Sequence, residues 1–336
     1  MSMRVAAIDC GTNSIRLLIA DLDPEREHGS AGPEHSSPLA DLTRQMRIVR
    51  LGEGVDRTGR LAEAALDRTM TALREYAGLI ADARPEAVRM VATSATRDAE
   101  NSLEFTDRVL DILGVAPEVI TGDEEAWLSF TGATRELVGT PLAAAGACPP
   151  PYLVTDIGGG STEFVLGGTD EADARRQVSR GQIQGRSVNI GCVRLTERHL
   201  HGDPPLAAEI AATIKDIDAA LGQASAAVPA EKAKTLVGLA GSVTTVAAIA
   251  LGLDEYDSAR IHHSRISAAR VHDIAGRLLA MTRAERAAIP VMHPGRVDVI
   301  GAGALILDRI MTRFGFAEVL VSEHDILDGI AWSLVP

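Results

Sequence analysis

The sequence predicts an α/β protein built from two similar halves, and three observations lead to this prediction. A phrase in which an apolar strand ends at an aspartate and a turn of small residues follows occurs twice, with Asp9 and Asp156 lying 147 positions apart. Strand-like and helix-like patterns alternate along the chain, as they do in α/β proteins. The length of 336 residues is sufficient for two domains with sizeable cores.

The first half begins with a predicted hairpin of two strands, 4–9 and 15–22. The stretch from Pro24 to Pro38 is rich in Gly, Ser, Pro and Glu, which predicts a loop that extends this hairpin. Further strands are expected at 45–51, 87–92 and 118–120, and helices at 61–80 and 99–113. We place the end of the first domain at residue 122, so that it spans 1–122.

The second predicted domain spans 123–336. The segment 139–151, rich in Ala, Pro and Gly, is interpreted as a loop within this half rather than as a domain linker. After it, strands are expected at 152–157, 162–167, 186–190 and 237–241, and helices at 209–221, 243–250, 298–314 and 325–334. The last of these helices could pack back on the first domain.

Composition limits the partners of the chain. A net charge of -13 argues against broad binding of nucleic acid. Asp9 interrupts the apolar stretch that a signal peptide would need, and the longest apolar-rich run, 244–253, is about half of what a bilayer crossing requires. Three cysteines without paired spacing fit a reducing compartment. We therefore expect a cytoplasmic protein with no nucleic-acid or membrane partner.

Both copies of the repeated phrase carry the residues of an anion-binding turn, Gly11-Thr12-Asn13-Ser14 and Gly158-Gly159-Gly160-Ser161-Thr162. Small residues between two strands let backbone N–H groups converge on an anion. The preceding aspartates, Asp9 and Asp156, are suited to hold a divalent cation or its water. One copy alone would be a weak signal, because such turns often only connect strands. The recurrence of matched polar residues favours a duplicated site that grips a phosphate chain.

Glu125 is a candidate catalytic base. Thr121 and Glu124 have the spacing of a capping box at the start of a helix, which would leave Glu125 free. Acidic residues in a first helical turn usually only compensate the helix dipole. Because this helix is expected to begin where the two halves meet, Glu125 is a candidate for positioning a water molecule.

These motifs resemble those of the exopolyphosphatase/guanosine pentaphosphate phosphohydrolase (Ppx/GppA) family, within the actin, Hsp70 and sugar-kinase superfold. They occur in the family's order from residue 4 to residue 330. The matching segments are Ala7-Ile8-Asp9-Cys10-Gly11-Thr12-Asn13-Ser14, Ala92-Thr93-Ser94-Ala95-Thr96-Arg97, Gly122-Asp123-Glu124-Glu125-Ala126, Asp156-Ile157-Gly158-Gly159-Gly160-Ser161-Thr162-Glu163, Asn189-Ile190-Gly191-Cys192-Val193-Arg194, Gly238-Leu239-Ala240-Gly241-Ser242 and Arg296-Val297-Asp298-Val299-Ile300.

The resemblance implies two actin-like, ribonuclease H-like domains with the active site in the cleft between them. It also implies roles for individual residues. Glu125 would be the base that orients the attacking water, and Arg97 would contact a substrate phosphate. Asp156 and Glu163 would hold Mg²⁺ or Mn²⁺, and the duplication makes Asp9 a further candidate for the metal or its water.

The activity implied by the resemblance is hydrolysis of the terminal phosphoanhydride bond of inorganic polyphosphate. Three alternatives stay open: conversion of guanosine pentaphosphate to the tetraphosphate, a sensor that binds polyphosphate or alarmone without turnover, and a nucleotide-switched ATPase of the same superfold. A homodimer is expected. Larger members of the family carry a further C-terminal helical region, so we expect a short-form member. Arg265 and Arg296 either extend a basic path for the phosphates or form salt bridges.

Overall fold

The computed structural model of the protein describes residues 2–23, 38–137, 140–168 and 183–335, which form two compact units. The first unit contains the described residues of 1–147 and 325–336, and the second contains those of 148–324. Most of the loop predicted from Pro24 to Pro38 lies outside the described residues. The division also differs from the predicted boundary after residue 122, and it cuts through the segment 139–151 that we interpreted as a loop of the second half.

The first unit is built on a five-stranded sheet with the order β3-β2-β1-β4-β5. The first three strands are antiparallel neighbours, whereas β4 and β5 run parallel to β1. The strands are β1 (Met3–Cys10), β2 (Ser14–Leu22), β3 (Leu39–Ile48), β4 (Ala87–Ala92) and β5 (Glu118–Val119). The helices are α1 (Val55–Thr58), α2 (Glu63–Ala83), α3 (Ser94–Arg97), α4 (Ser102–Leu113), α5 (Gly122–Leu137), α6 (Pro141–Ala144) and, from the far end of the chain, the helix Ile326–Trp332.

Strand β1 is buried on both of its faces. Alternate side chains point to opposite sides of a strand. Ala6 and Ile8 pack in one apolar cluster with residues of α2 and α4, whereas Val5 and Ala7 pack in another with the helix Ile326–Trp332. This two-sided burial explains why β1 reads as a continuous apolar run, and it fixes the position of Asp9 near its end.

The second unit repeats this topology in a six-stranded sheet with the order β10-β11-β9-β6-β7-β8. Strands β6, β7 and β8 form the antiparallel set, β9 runs parallel to β6, and β11 runs parallel to β9. The strands are β6 (Tyr152–Ile157), β7 (Thr162–Gly167), β8 (Gln184–Val188), β9 (Thr235–Leu239), β10 (Arg265–Ser267) and β11 (Glu318–Val321). The prediction of two similar α/β halves is confirmed.

Most helices of the second unit bury their apolar faces in one large cluster. The helices of this unit are α7 (Cys192–His199), α8 (Ala207–Ala227), α9 (Ala240–Ala250), α10 (Ser258–Ile261), α11 (Ala268–Ala280), α12 (Arg283–Ala287) and α13 (Ile300–Phe314), with single 3₁₀ turns at Ala230–Lys232 and Pro294–Arg296. The helix Ile326–Trp332 is α14. Across the part of the chain that the structure describes, none of the helices combines the length and the apolar character that a membrane span requires.

Helix α14 packs against α5 in the first unit so closely that the backbones of the two helices are in contact. A Cβ added at Gly132 would lie 1.8 Å from the carbonyl oxygen of Asp325, and one added at Gly329 would lie 2.0 Å from that of Leu128. Only glycine allows such an approach. These contacts hold both helices in the first unit, which is why the helix with Glu125 does not group with the residues that follow it.

Candidate active site

The two predicted phosphate-binding turns have the same backbone geometry. We define turn 1 as residues 11–14 and turn 2 as residues 158–161. In turn 1 the Gly11 N–H donates to the Ser14 carbonyl at 2.9 Å, and in turn 2 the Gly158 N–H donates to the Ser161 carbonyl at 3.0 Å. Each turn joins two antiparallel strands, β1 to β2 and β6 to β7. The sequence repeat therefore corresponds to a repeated local structure.

The carbonyl groups of turn 2 are held by the start of helix α7. Gly158 accepts a hydrogen bond from the Cys192 N–H at 3.0 Å, and Gly159 accepts one from the Val193 N–H at 2.9 Å. The Gly160 carbonyl accepts from Arg194 Nε at 2.6 Å. Because a trans peptide unit is rigid, a carbonyl that faces α7 directs the N–H of the following residue away from it. Three consecutive N–H groups, those of residues 159–161, are thereby oriented together, as anion binding requires.

Turn 2 lies against Gly191 without room for a side chain. A Cβ at this position would be 2.3 Å from the Gly159 carbonyl oxygen and 2.6 Å from the Gly160 nitrogen. Thr162, which we also predicted as a phosphate-binding residue, is fully buried, and its hydroxyl donates to the Ile190 carbonyl at 2.7 Å. The hydroxyl of Thr162 thus helps to fix the end of the turn.

Turn 1 is fixed by the segment after β3 in a similar way. The Thr12 carbonyl accepts from the Gly52 N–H at 2.9 Å, and the Asn13 carbonyl accepts from the Val49 N–H at 3.0 Å. The Thr12 hydroxyl shares a 2.9 Å hydrogen bond with that of Ser94. The side-chain oxygen of Asn13 is buried and has no hydrogen-bond partner among the described residues. Turn 1 is therefore a rigid turn with one unused acceptor.

Asp9 forms a buried ion pair that the sequence analysis did not predict. Its cross-strand neighbour in β2 is Arg16, and the Oδ2 atom of Asp9 accepts from Arg16 Nη2 at 2.7 Å and from Nε at 3.0 Å. Arg16 Nη1 also donates to Asp325, the N-cap residue of α14. Burial raises the pKa of the Asp9 carboxyl, an effect that Arg16 opposes. The Oδ1 atom is buried and has no hydrogen-bond partner within the described ranges.

The equivalent position in the second copy carries an acid. The cross-strand neighbour of Asp156 is Glu163, and both residues are buried, with exposures of 7% and 2%. Directly opposite residues of an antiparallel pair have Cβ atoms about 5 Å apart. Ser187 in β8 is the cross-strand neighbour of Glu163 in β7, and its hydroxyl donates to Glu163 Oε1 at 2.7 Å. Ser187 belongs to none of the matched motifs, so only the strand register reveals its contact with Glu163.

This pair of carboxylates fits a divalent cation. No group of three or more His, Cys, Asp or Glu side chains in the described part of the chain is arranged to hold a metal ion. Mg²⁺ is commonly held by only one or two carboxylates, with phosphate oxygens and water completing its octahedral shell. Asp156 and Glu163 are hard oxygen donors beside an anion-binding turn, which suits Mg²⁺ or Mn²⁺ bound together with a phosphate.

Glu125 lies in the first turn of α5 and pairs with Arg97. As the capping pattern predicts, the Glu124 N–H donates to the Thr121 hydroxyl at 3.2 Å. The expectation that Glu125 is free is wrong, because its Oε2 atom accepts from Arg97 Nη1 at 3.0 Å. The Glu125 residue is 7% exposed. The structure therefore brings together the two residues that we predicted as catalytic.

Arg97 keeps donors available for a second partner. Its Nη1 atom also donates to the Ile120 carbonyl at 3.0 Å. Its Nε and Nη2 atoms make no hydrogen bond to the residues that the structure describes. A guanidinium group offers five N–H donors in a planar fork that suits phosphate. Arg97 can therefore hold the carboxylate and a phosphate oxygen at once.

The two further arginines differ in their partners. Arg265 forms an ion pair with Glu318, so its charge is neutralised locally. Arg296 Nη1 donates to the Gly241 carbonyl and to the Thr245 hydroxyl, each at 3.0 Å. Of the two, only Arg296 is held by neutral oxygens.

Comparison with known proteins identifies the family of this chain. Residues 30–336 match the Ppx/GppA phosphatase family. The chain is 49% identical over 340 residues to exopolyphosphatase 2 of Mycobacterium tuberculosis, covering 98% of each chain. A crystal structure of an exopolyphosphatase-like protein has a TM-score of 0.86 at 42% identity and covers 98% of both chains. That of the Aquifex aeolicus Ppx/GppA family member has a TM-score of 0.73 at 29% identity, covering 99% of this chain and 97% of the other. The chain thus belongs to the Ppx/GppA phosphatase family.

Proposed function

We propose that this chain is an exopolyphosphatase, which hydrolyses the terminal phosphoanhydride bond of inorganic polyphosphate and releases orthophosphate. The observation that carries the proposal is the pair of matched turns, each preceded by a buried aspartate. The name of the Mycobacterium tuberculosis relative, exopolyphosphatase 2, supports the same substrate. Phosphoryl transfer needs alignment and charge neutralisation more than covalent chemistry, and the residues present meet those needs.

The two turns would bind the substrate. The oriented N–H groups of turn 2 would donate to phosphate oxygens, and turn 1 would do the same with its N–H groups. Neither contact reads a base or a sugar, so the proposed recognition suits a polymer of phosphate alone. Because the turns are fixed by backbone hydrogen bonds, they would need little reorganisation on binding.

Glu125 would position the attacking water. The water oxygen would form its bond to the terminal phosphorus as the bridging P–O bond breaks, and Glu125 would accept the proton of the water. Arg97 would share in this step through its unused Nε and Nη2 donors, which would neutralise charge on the terminal phosphate. The 3.0 Å contact between Arg97 and Glu125 supports this assignment, since it links the base to the group that would hold the phosphate.

Asp156 and Glu163 would hold a divalent ion, with Mg²⁺ or Mn²⁺ as the candidates. The bound ion would neutralise charge on the phosphate oxygens. Ser187 would keep the Glu163 carboxylate in one orientation through its 2.7 Å hydrogen bond. The Oδ2 atom of Asp9 already accepts from Arg16, so only its Oδ1 atom would be available to a metal ion or its water.

The test is phosphate release from the purified protein with polyphosphate, guanosine pentaphosphate and ATP in parallel, each with Mg²⁺ or Mn²⁺ and with excess chelator. We expect release from polyphosphate that needs the metal. Preferential release from guanosine pentaphosphate would favour the alarmone activity instead. Tight binding of polyphosphate without release would identify a sensor, and release from ATP alone would indicate a nucleotide-switched ATPase.

A further inference from the structure

Two buried hydrogen-bond donors lie where α5 and α14 pack together in the first unit, and neither has an acceptor. The guanidinium carbon of Arg135, in the last turn of α5, is 3.7 Å from the centroid of the Trp332 ring in α14. Arg135 Nη1 and Trp332 Nε1 are both buried, and within the described residues neither atom has a hydrogen-bond partner. Because the indole nitrogen belongs to the ring that the guanidinium contacts, the two unused donors are in one place.

The positive charge of Arg135 is also uncompensated. No carboxylate of the described residues forms an ion pair with it. Two other arginines of the first unit, Arg16 and Arg89, each pair with two carboxylates. Burial lowers the pKa of the Arg135 guanidinium. A cation that is taken out of water is strongly disfavoured unless an anion accompanies it, so this place lacks an anion.

Two structural explanations account for the charge of Arg135 but not for the donors. The face of an indole ring attracts a cation, and so does the C-terminus of a helix through its dipole. Neither effect supplies a lone pair to Arg135 Nη1 or to Trp332 Nε1, and a buried donor without an acceptor is costly. Water could accept these hydrogen bonds, but it would leave the charge uncompensated. An anion meets both requirements.

We infer that Arg135 and Trp332 form a binding site for a small oxyanion, inorganic phosphate, separate from the active site. The planar fork of an arginine suits phosphate oxygens, and an indole N–H can only donate. Arg135 is half-buried, so solvent reaches part of its side chain and an ion can approach. It follows Glu125 by ten residues in α5, which is about 15 Å along the helix axis. The inference goes beyond the proposed function and does not depend on it.

The test uses the fluorescence of Trp332 in the purified full chain. The sequence contains two tryptophans, so Trp127→Phe leaves Trp332 as the only indole. Indole emission responds to a hydrogen bond from Nε1 and to a charge beside the ring. We expect inorganic phosphate to change this emission saturably, whereas sodium chloride at the same ionic strength should not, which excludes general screening. The response should persist when Arg97→Ala is added, because Arg97 belongs to the candidate active site.

Variants of Arg135 locate the bound phosphate. Arg135→Met keeps the length of the side chain without its charge and should abolish the response. Arg135→Lys is the matched variant that keeps the charge without the planar fork. It should weaken phosphate binding about tenfold, which corresponds to the loss of one charge-assisted hydrogen bond.

Three results would overturn the inference: no saturable response of Trp332 to phosphate, a response that Arg97→Ala abolishes, or a response that Arg135→Met retains. If Arg135→Met fails to fold, Arg135→Lys decides the question, and an unchanged dissociation constant for phosphate in that variant would overturn the inference as well. Phosphate release from polyphosphate is not needed for any of these measurements, so a failure of the proposed function would leave this test intact.

Discussion

Gly191 offers a direct test of the role of turn 2, because its backbone is extended and the nearest atoms that a side chain would meet belong to turn 2. In Gly191→Ala the new Cβ would lie 2.3 Å from the Gly159 carbonyl oxygen and 2.6 Å from the Gly160 nitrogen. Ordinary contact begins near 3.4 Å, so the turn and the start of α7 must separate by about 1 Å. A displacement of this size can cost roughly 100-fold in rate where reacting groups must be aligned. We therefore expect kcat/KM for polyphosphate to fall about 100-fold.

The assay is phosphate release at fixed ionic strength, accompanied by thermal unfolding to show that Gly191→Ala is folded. Gly222→Ala is the matched control. Gly222 lies in α8, and a Cβ there would meet nothing within 4 Å. This control should leave kcat/KM unchanged and stabilise the protein by up to about 1 kcal/mol, since alanine favours helix more than glycine does. A folded Gly191→Ala protein with kcat/KM within about threefold of the parent would show that turn 2 does not align the substrate.

Three further predictions concern individual side chains. Glu125→Gln should lower kcat by about 10²–10⁴ while polyphosphate binding persists, because only the proton acceptor is removed; an unchanged kcat would exclude Glu125 as the base. Asp156→Asn should raise the Mn²⁺ concentration needed for half-maximal activity, and full activity of the parent in excess chelator would exclude the proposed metal dependence. Ser187→Ala should weaken Mn²⁺ binding by roughly 10-fold, as is typical when a partner of a metal ligand is removed. Ser187→Thr, which keeps the hydroxyl, should bind Mn²⁺ like the parent, and equal weakening in both variants would exclude the hydrogen bond as the cause.

The strands and turns near the site could be predicted from the sequence because local chemistry determines them. Strand β4 was predicted at 87–92, and the structure has it at Ala87–Ala92. Its second half is buried on both faces, with Met90 and Ala92 in one apolar cluster and Val91 in the other. Strand β3 begins at Leu39, six residues before the predicted start. Asp41 and Leu42 are exposed, so this part of the strand has no buried apolar run to signal it. Helix α11 was missed although its start carries a signal: the Ser267 side chain caps the helix by accepting from the Arg270 N–H.

The contacts of the site residues depended on tertiary structure to different degrees. The Asp9–Arg16 pair could have been deduced, because a four-residue turn between antiparallel strands fixes which residues are opposite. The additional contact with Asp325 could not, since 309 positions separate Arg16 from it. The pairing of Glu125 with Arg97 joins the start of α5 to the end of α3, and no spacing rule connects two such elements.

The return of α14 to the first unit has a consequence for synthesis of the chain. The first unit contains residues up to 147 and then the stretch from 325, with the second unit between them in the chain. Ile326, Leu327 and Ile330 are core residues that pack with β1 and β2. While the ribosome is still adding residues 148–324, the apolar face of β1 lacks the part of its cover that α14 supplies. The second unit can complete its fold during this interval, whereas the first must wait for the last helix to emerge. An exposed apolar face during translation makes this stage the point at which chaperones would be expected to bind the nascent chain.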